Sequence, residues 1–274
     1  MPSRFRFQGT AIGAGGRIDL PFHEIIEVQA ASALPEIGGH GSARSSRFRY
    51  REILSFDVAS TEVTGSRIDD YKGRAVHCTS VKATVEGLNI MDMVTADRVV
   101  AHLVSTHKSE PDGEPSVKLV GSRFENLRIA GIPVRVDLAV DVFDRFDTHG
   151  ALREAYREKP EVRSLFEEAT LKKRFNEAPS VIQRWFHRPP EDDTEMPETK
   201  GITSFSLVRT LEPESRALVC WGHVIHVDGF GTIRLAELEI SRFTRQITML
   251  QIELGCPVKG TLMASSGSDG GSDW

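Results

Sequence analysis

Arginine is the side chain best suited to gripping an anion at two points, and five arginines in this chain have spacing that suits the task. Arg47, Arg49 and Arg51 alternate with Phe48 and Tyr50. In an extended strand every second side chain points the same way, about 6.6 to 7 Å from the last. The three guanidinium groups then share one face. Arg4 and Arg6, alternating with Phe5 and Phe7, repeat the device. If the two strands pair, all five converge on a carboxylate, a phosphate or an acidic polymer. The competing reading is a solvated strand face whose charges deter edge-to-edge aggregation.

Two carboxylates offer acid–base chemistry. Glu237 and Glu253 lie where the apolar alternation changes phase: Ile233 and Leu235 give way to Leu238 and Ile240, and Ile247 and Met249 give way to Leu250, Ile252 and Leu254. A carboxylate turned inward there has a raised pKa and is a natural general acid or base. Turned outward it is an ordinary surface charge. His223 and His226, beside Asp228, are three apart and face opposite ways in a strand, and the same holds for no-turn geometries of His102 and His107. None of the nine histidines belongs to a zinc-binding helix motif. Cys78 adjoins His77, but neighbours in a strand point apart, so they are not a nucleophile and base. There is no phosphate-binding glycine loop with a lysine and no nucleophile elbow. The glycine-rich run from Gly9 to Gly16 reads as a flexible loop. No cofactor and no metal is therefore expected.

The elements that must carry these residues are strands. Alternation with a period of two runs through residues 4–11, 47–51, 56–63, 81–85, 117–124, 203–209 and 216–226, and Val94 to Val104 is apolar on both faces. A short pattern recurs at Val63–Ile68, Val85–Ile90 and Phe124–Ile129, each copy holding Gly65, Gly87 or Asn126 where a tight hairpin turn needs a positive φ. The stretch from Val134 to Phe143 reads as a further strand. From about Asp147 the period becomes helical: Leu152 and Tyr156, then Val162, Leu165 and Phe166, then Val181, Ile182, Trp185 and Phe186. Pro160 suits a first helical turn, and Ser180 a cap. An acidic, proline-containing loop follows to about Glu198. The segments Thr232–Ile240 and Gln246–Leu254 form a hairpin, and their shared phase change predicts a bulge or bend.

These features predict an all-β fold, a single large β-sandwich or barrel-like domain over residues 1–264, with a helical insertion at about 147–188. The Gly, Ser and Asp-rich residues 265–274 predict a disordered tail. A net charge of −5 with 27% charged residues argues against a general nucleic-acid binder. No apolar run has the length of a signal peptide or a membrane span, so no membrane partner is expected. Three widely spaced cysteines suit a reducing compartment, which predicts a cytoplasmic protein. The expected function is a non-catalytic binding or assembly module with a small-molecule or protein partner, able to form a homo-oligomer through its strand edges. The alternative is an enzyme whose pocket lies at the mouth of the β structure, under the helical insertion.

Overall fold

The computed structural model describes residues 5–273 apart from 71–72, 109–112, 170, 172–173, 185, 187–195, 197–200, 216 and 256. Arg4, Trp185, Trp274 and nearly all of the acidic loop after residue 188 lie outside the described residues. The chain opens with long strands: β1 (Phe5–Leu20), β2 (Glu24–Ala33), β3 (Gly39–Tyr50), β4 (Leu54–Asp69), β5 (Ala75–Ile90) and β6 (Val94–Lys108). Shorter ones follow: β7 (Ser116–Lys118), β8 (Arg123–Glu125), β9 (Arg128–Ile129) and β10 (Ile132–Leu138). Helices α1 (Val140–Arg145), α2 (His149–Glu158), α3 (Pro160–Ala169) and α4 (Ser180–Gln183) interrupt the β structure. It resumes with β11 (Thr203–Ser206), β12 (Val208–Pro213), β13 (Val219–Trp221) and β14 (Val224–Val227). Then come β15 (Gly231–Ile240), β16 (Thr244–Leu254) and β17 (Lys259–Asp273).

The strands form two antiparallel sheets packed face to face. One runs β13-β14-β15-β16-β17-β1-β2 with β11 beside β15; the other runs β12-β10-β9-β6-β5-β4-β3 with β7 and β8 beside β6. Strand accounts for 63% and helix for 13%, so the all-β expectation holds, as a sandwich and not as a closed barrel. The facing surfaces bury Ala11, Ala14 and Ala264 from one sheet against Ala59, Val81, Val85 and Leu103 from the other.

The run from Gly9 to Gly16 is not the flexible loop that its composition predicts; it lies within β1. Close approach is the reason. A Cβ on Gly13 would sit 2.7 Å from the Gln29 carbonyl oxygen and 2.9 Å from the Ala59 Cβ. The turn expectation for the recurring pattern also needs correction. Gly65 and Gly87 sit inside β4 and β5, and Asn126 alone joins two strands, β8 and β9.

A kink line crosses each sheet. In the first, Ala236, Met249, Ser265, Gly13 and Ala30 drop out of the ladder side by side while the register on either side is unchanged. Ala236, Ser265 and Ala30 have φ of 50°, 57° and 52°. In the second sheet the row is Arg47, Asp57, Gly87, Asp97 and Asn126, with φ of 53°, 64° and 52° at Arg47, Gly87 and Asn126. An aspartate thus alternates with a left-handed residue, and Asn126 Nδ2 donates to Asp97 Oδ2 at 2.6 Å. This is the bend behind the phase change at residues 235–238. No residue is inserted, so it is an in-register kink and not a bulge.

Residues 265–273, expected to be a disordered tail, form the second half of β17 between β16 and β1. Their small side chains are what allows this. Ser265, Ser266 and Gly267 are buried because their neighbours supply the apolar surface that they lack.

The helical segment starts earlier than expected. Val134–Phe143 leaves the sheet at Ala139, whose N–H donates to the Leu207 carbonyl, and α1 begins at Val140. Thr148 caps α2 by accepting from the Ala151 N–H at 3.1 Å. Leu152, Tyr156, Val162 and Phe166 turn into the core as their spacing predicts. Phe166 and Phe143 pack on Phe205 of β11 with ring centroids 4.4 and 5.0 Å away. That aromatic contact anchors the insertion to the edge of the first sheet.

Candidate functional site: a polar cleft beneath the helical insertion

Where the insertion meets β12 and β13, a cleft of about 280 Å³ opens, lined by Glu168, Arg174, Val208, Arg209, Leu211, Cys220, Gly222 and His223. The insertion supplies Glu168 and Arg174, and the β strands supply the floor. The local fold explains the placement. Gly222 takes φ 57°, and a Cβ there would meet the Glu168 carbonyl oxygen at 2.8 Å, so the turn between β13 and β14 tucks under α3. Leu171, Ile182, Phe186 and Val224 form a small core of their own that holds the insertion against β14.

His223 is the most enclosed polar group in the cleft. It is 5% exposed, with the Phe186 ring edge-on at 5.3 Å between centroids. Its Nε2 lies 3.7 Å from Glu237 Oε1, and the same oxygen accepts from Arg234 Nη1 at 2.7 Å. Arg234 and Glu237 are three apart in a strand and would ordinarily face opposite ways. The kink at Ala236 turns them to the same side. Burial resists ionisation of Glu237, but the His223 contact and the Arg234 guanidinium outweigh it and hold the carboxyl below the usual range. His223 Nδ1 has no hydrogen-bond partner among the described residues.

The two arginines differ. Arg209 is tied to Asp137, Nη1 to Oδ2 3.4 Å, and to Asp141, and it holds the Asp141 carboxyl below its usual range. Arg174 has no ion pair among the described residues and lies 5.4 Å from the centre of the Trp221 ring. Burial pushes the Cys220 thiol up to about 11, so it remains a neutral thiol near pH 7. The cleft can therefore offer an anion an imidazole and a guanidinium that has no ion pair among the described residues, with Glu168 as the opposing charge.

The residues singled out from the sequence fall differently. Glu237 reaches this cleft through His223; Glu253 does not. Glu253 sits opposite Thr232 on β16 and binds Arg184 at 2.8 Å in a solvent-exposed pair. The arginine row does not assemble, because β1 and β3 belong to different sheets. Arg6 pairs with Glu36 at 3.2 Å. Arg47 is displaced by the kink, and Arg49 turns to Glu52. Arg51 lies beyond β3, bound to Glu24 at 2.7 Å and stacked 3.8 Å over Phe22. No group of three His, Cys, Asp or Glu side chains among the described residues is arranged to hold a metal ion. Arg174 and Arg209 escaped the sequence reading, since a single arginine in a helical segment or a strand carries no spacing signal.

A second polar cluster is sealed between the sheets. Asp269 of β17 pairs with Gly9 on one side and Arg245 on the other and is 2% exposed. Neither of its carboxylate oxygens accepts a hydrogen bond of ordinary geometry among the described residues. Thr79 and Ser105, cross-strand partners on the opposite sheet, are 0% exposed with unpartnered hydroxyls. Burial pushes the Asp269 carboxyl up to about 7, against the pull of the Ser105 hydroxyl and the Arg245 guanidinium. Burial likewise lowers Arg245 to about 10.

Together these features define an all-β sandwich protein with a polar cleft roofed by a helical insertion. The chain belongs to the family described as Domain of unknown function (DUF8256), which matches residues 5–241. No curated protein and no solved structure matches it. The matched span stops short of β16 and β17, although both strands lie at the heart of the first sheet. No helix among the described residues is long and apolar enough to cross a membrane.

Proposed function

We propose that this protein is a binding module that holds a small carboxylate- or phosphate-bearing molecule in the cleft beneath the helical insertion. The carrying observation is that Arg174, without an ion pair among the described residues, and the buried His223 line one cleft. A guanidinium without an ion pair among the described residues is available for a bidentate contact with an anion. The free thiols Cys78 and Cys220 support a reducing compartment such as the cytoplasm. Calorimetric titration with sulfate, phosphate and citrate tests the reading. Saturable binding that weakens roughly tenfold or more in Arg174→Ala supports it, and binding equal in the two proteins overturns it.

The pairing of His223 with Glu237 favours a second reading, in which the cleft is an enzyme's acid–base site. A histidine oriented by a carboxylate is a common proton-transfer unit. Turnover of a bound compound that is lost in Glu237→Gln, with binding retained, would decide for it.

A further inference from the structure

We propose that anion binding in this cleft is coupled to the uptake of a proton by His223, with Glu237 as the built-in counter-charge of the imidazolium. The inference rests on the anion-binding reading above and adds the residue and the proton that determine which ligands are accepted.

A neutral imidazole has one N–H and one bare nitrogen. His223 Nε2 faces the Glu237 carboxylate at 3.7 Å, an arrangement that favours the proton on Nε2. Nδ1 is then a lone pair, buried and unpartnered among the described residues. A lone pair repels an incoming anion. Protonation turns Nδ1 into a donor that an accepting anion can satisfy, and sets a positive charge between that anion and Glu237. Glu237 is already committed to the anionic form by Arg234, whose Nη1 lies 2.7 Å away.

The groups around the ring limit the alternatives. From β15 come Glu237 and Arg234; from β13, Cys220, a neutral thiol. Arg209 of β12 is held by Asp137 and Asp141. The insertion contributes Glu168 and Arg174 across the cleft and the uncharged Phe186 ring. Arg174 attracts the anion whatever the pH, since arginine does not titrate near neutrality. Imidazole is the kind of side chain that can gain a proton near neutrality, and His223 is the one that lines the cleft. Ligand affinity therefore falls as pH rises, by up to about tenfold per pH unit, because each bound anion brings a proton with it.

Sulfate is the suitable probe, since it does not itself titrate near pH 7. Calorimetric titration of the full chain with sulfate in buffers of different ionisation enthalpy reads the protons taken up. The expected result is uptake approaching one proton in the wild type, reduced uptake and weaker binding in Glu237→Gln, and none in His223→Gln. Because His223→Gln can fail to fold, nitrogen-detected spectra of the wild-type histidine side chains give an independent reading. His223 should pass from a neutral to an imidazolium pattern as sulfate is added. Sulfate binding that depends on Arg174 but takes up no proton, or that leaves the His223 signals neutral, overturns this proposal and leaves the binding reading intact. No sulfate binding at any pH from 5 to 8 overturns both.

Discussion

Replacing Asp269 with asparagine should make the protein more stable at alkaline pH than at acid pH, relative to the wild type. The carboxyl is 2% exposed and is raised from its ordinary 3.8 to about 7. That is a difference of roughly 3 pH units, and at about 1.36 kcal/mol for each unit the ionised carboxylate costs the folded state about 4 kcal/mol. The sign follows from proton counting. Between pH 4 and 7 the folded chain holds a proton that the unfolded chain has released, so stability falls as pH rises through that window. The contribution is fully present below about pH 4 and lost above about pH 7. Asparagine keeps the size and polarity of the side chain but cannot ionise. Urea denaturation of both proteins at several pH values from 4 to 8 isolates the group, because every other titration cancels in the difference. The stability difference in favour of Asp269→Asn should widen by about 4 kcal/mol across this range, with unchanged m-values. A difference that is flat with pH would refute the reasoning, and would mean that water or Arg245 solvates the carboxylate in the folded state.

Three further outcomes follow from the packing. Gly13→Ala, whose new Cβ would meet the Gln29 carbonyl oxygen at 2.7 Å and the Ala59 Cβ at 2.9 Å, should destabilise by about 1–3 kcal/mol as overpacking does, measured by chemical denaturation. Deleting residues 265–274 removes the outer half of β17, which joins β16 to β1; cooperative thermal unfolding should be lost, and a melting temperature within a few degrees of the full chain would show that the strand is dispensable. Glu253→Gln breaks only an exposed pair with Arg184 and should change stability by less than about 1 kcal/mol at any pH from 5 to 8, as read from thermal melts.

Much of the fold was legible because it depends on a local property, the two-residue alternation of apolar side chains. That pattern marks the strands, their all-β class and the hairpin of β15 and β16, and the change to helical spacing marks Leu152, Tyr156 and Phe166 as a buried face. The phase change around Glu237 was also visible, and it is the kink that brings Arg234 and Glu237 to one side. What the alternation could not convey was which strands become neighbours. The arginine row depended on β1 pairing with β3, and the chain places them in different sheets.

Tertiary structure alone decided the rest, and the reason is that burial belongs to the neighbours as much as to the residue. Residues 265–273 carry too little apolar surface to order themselves, yet they become a central strand because β1 and β16 flank them and the opposite sheet covers them. The same enclosure takes Asp269 out of water. His223 and Glu237 are fourteen positions apart in the sequence, and Arg174 arrives from a helical segment on another part of the chain. The pairing of β14 with β15 brings His223 to Glu237, and only the packing of the insertion on β13 and β14 sets Arg174 and His223 in one cleft.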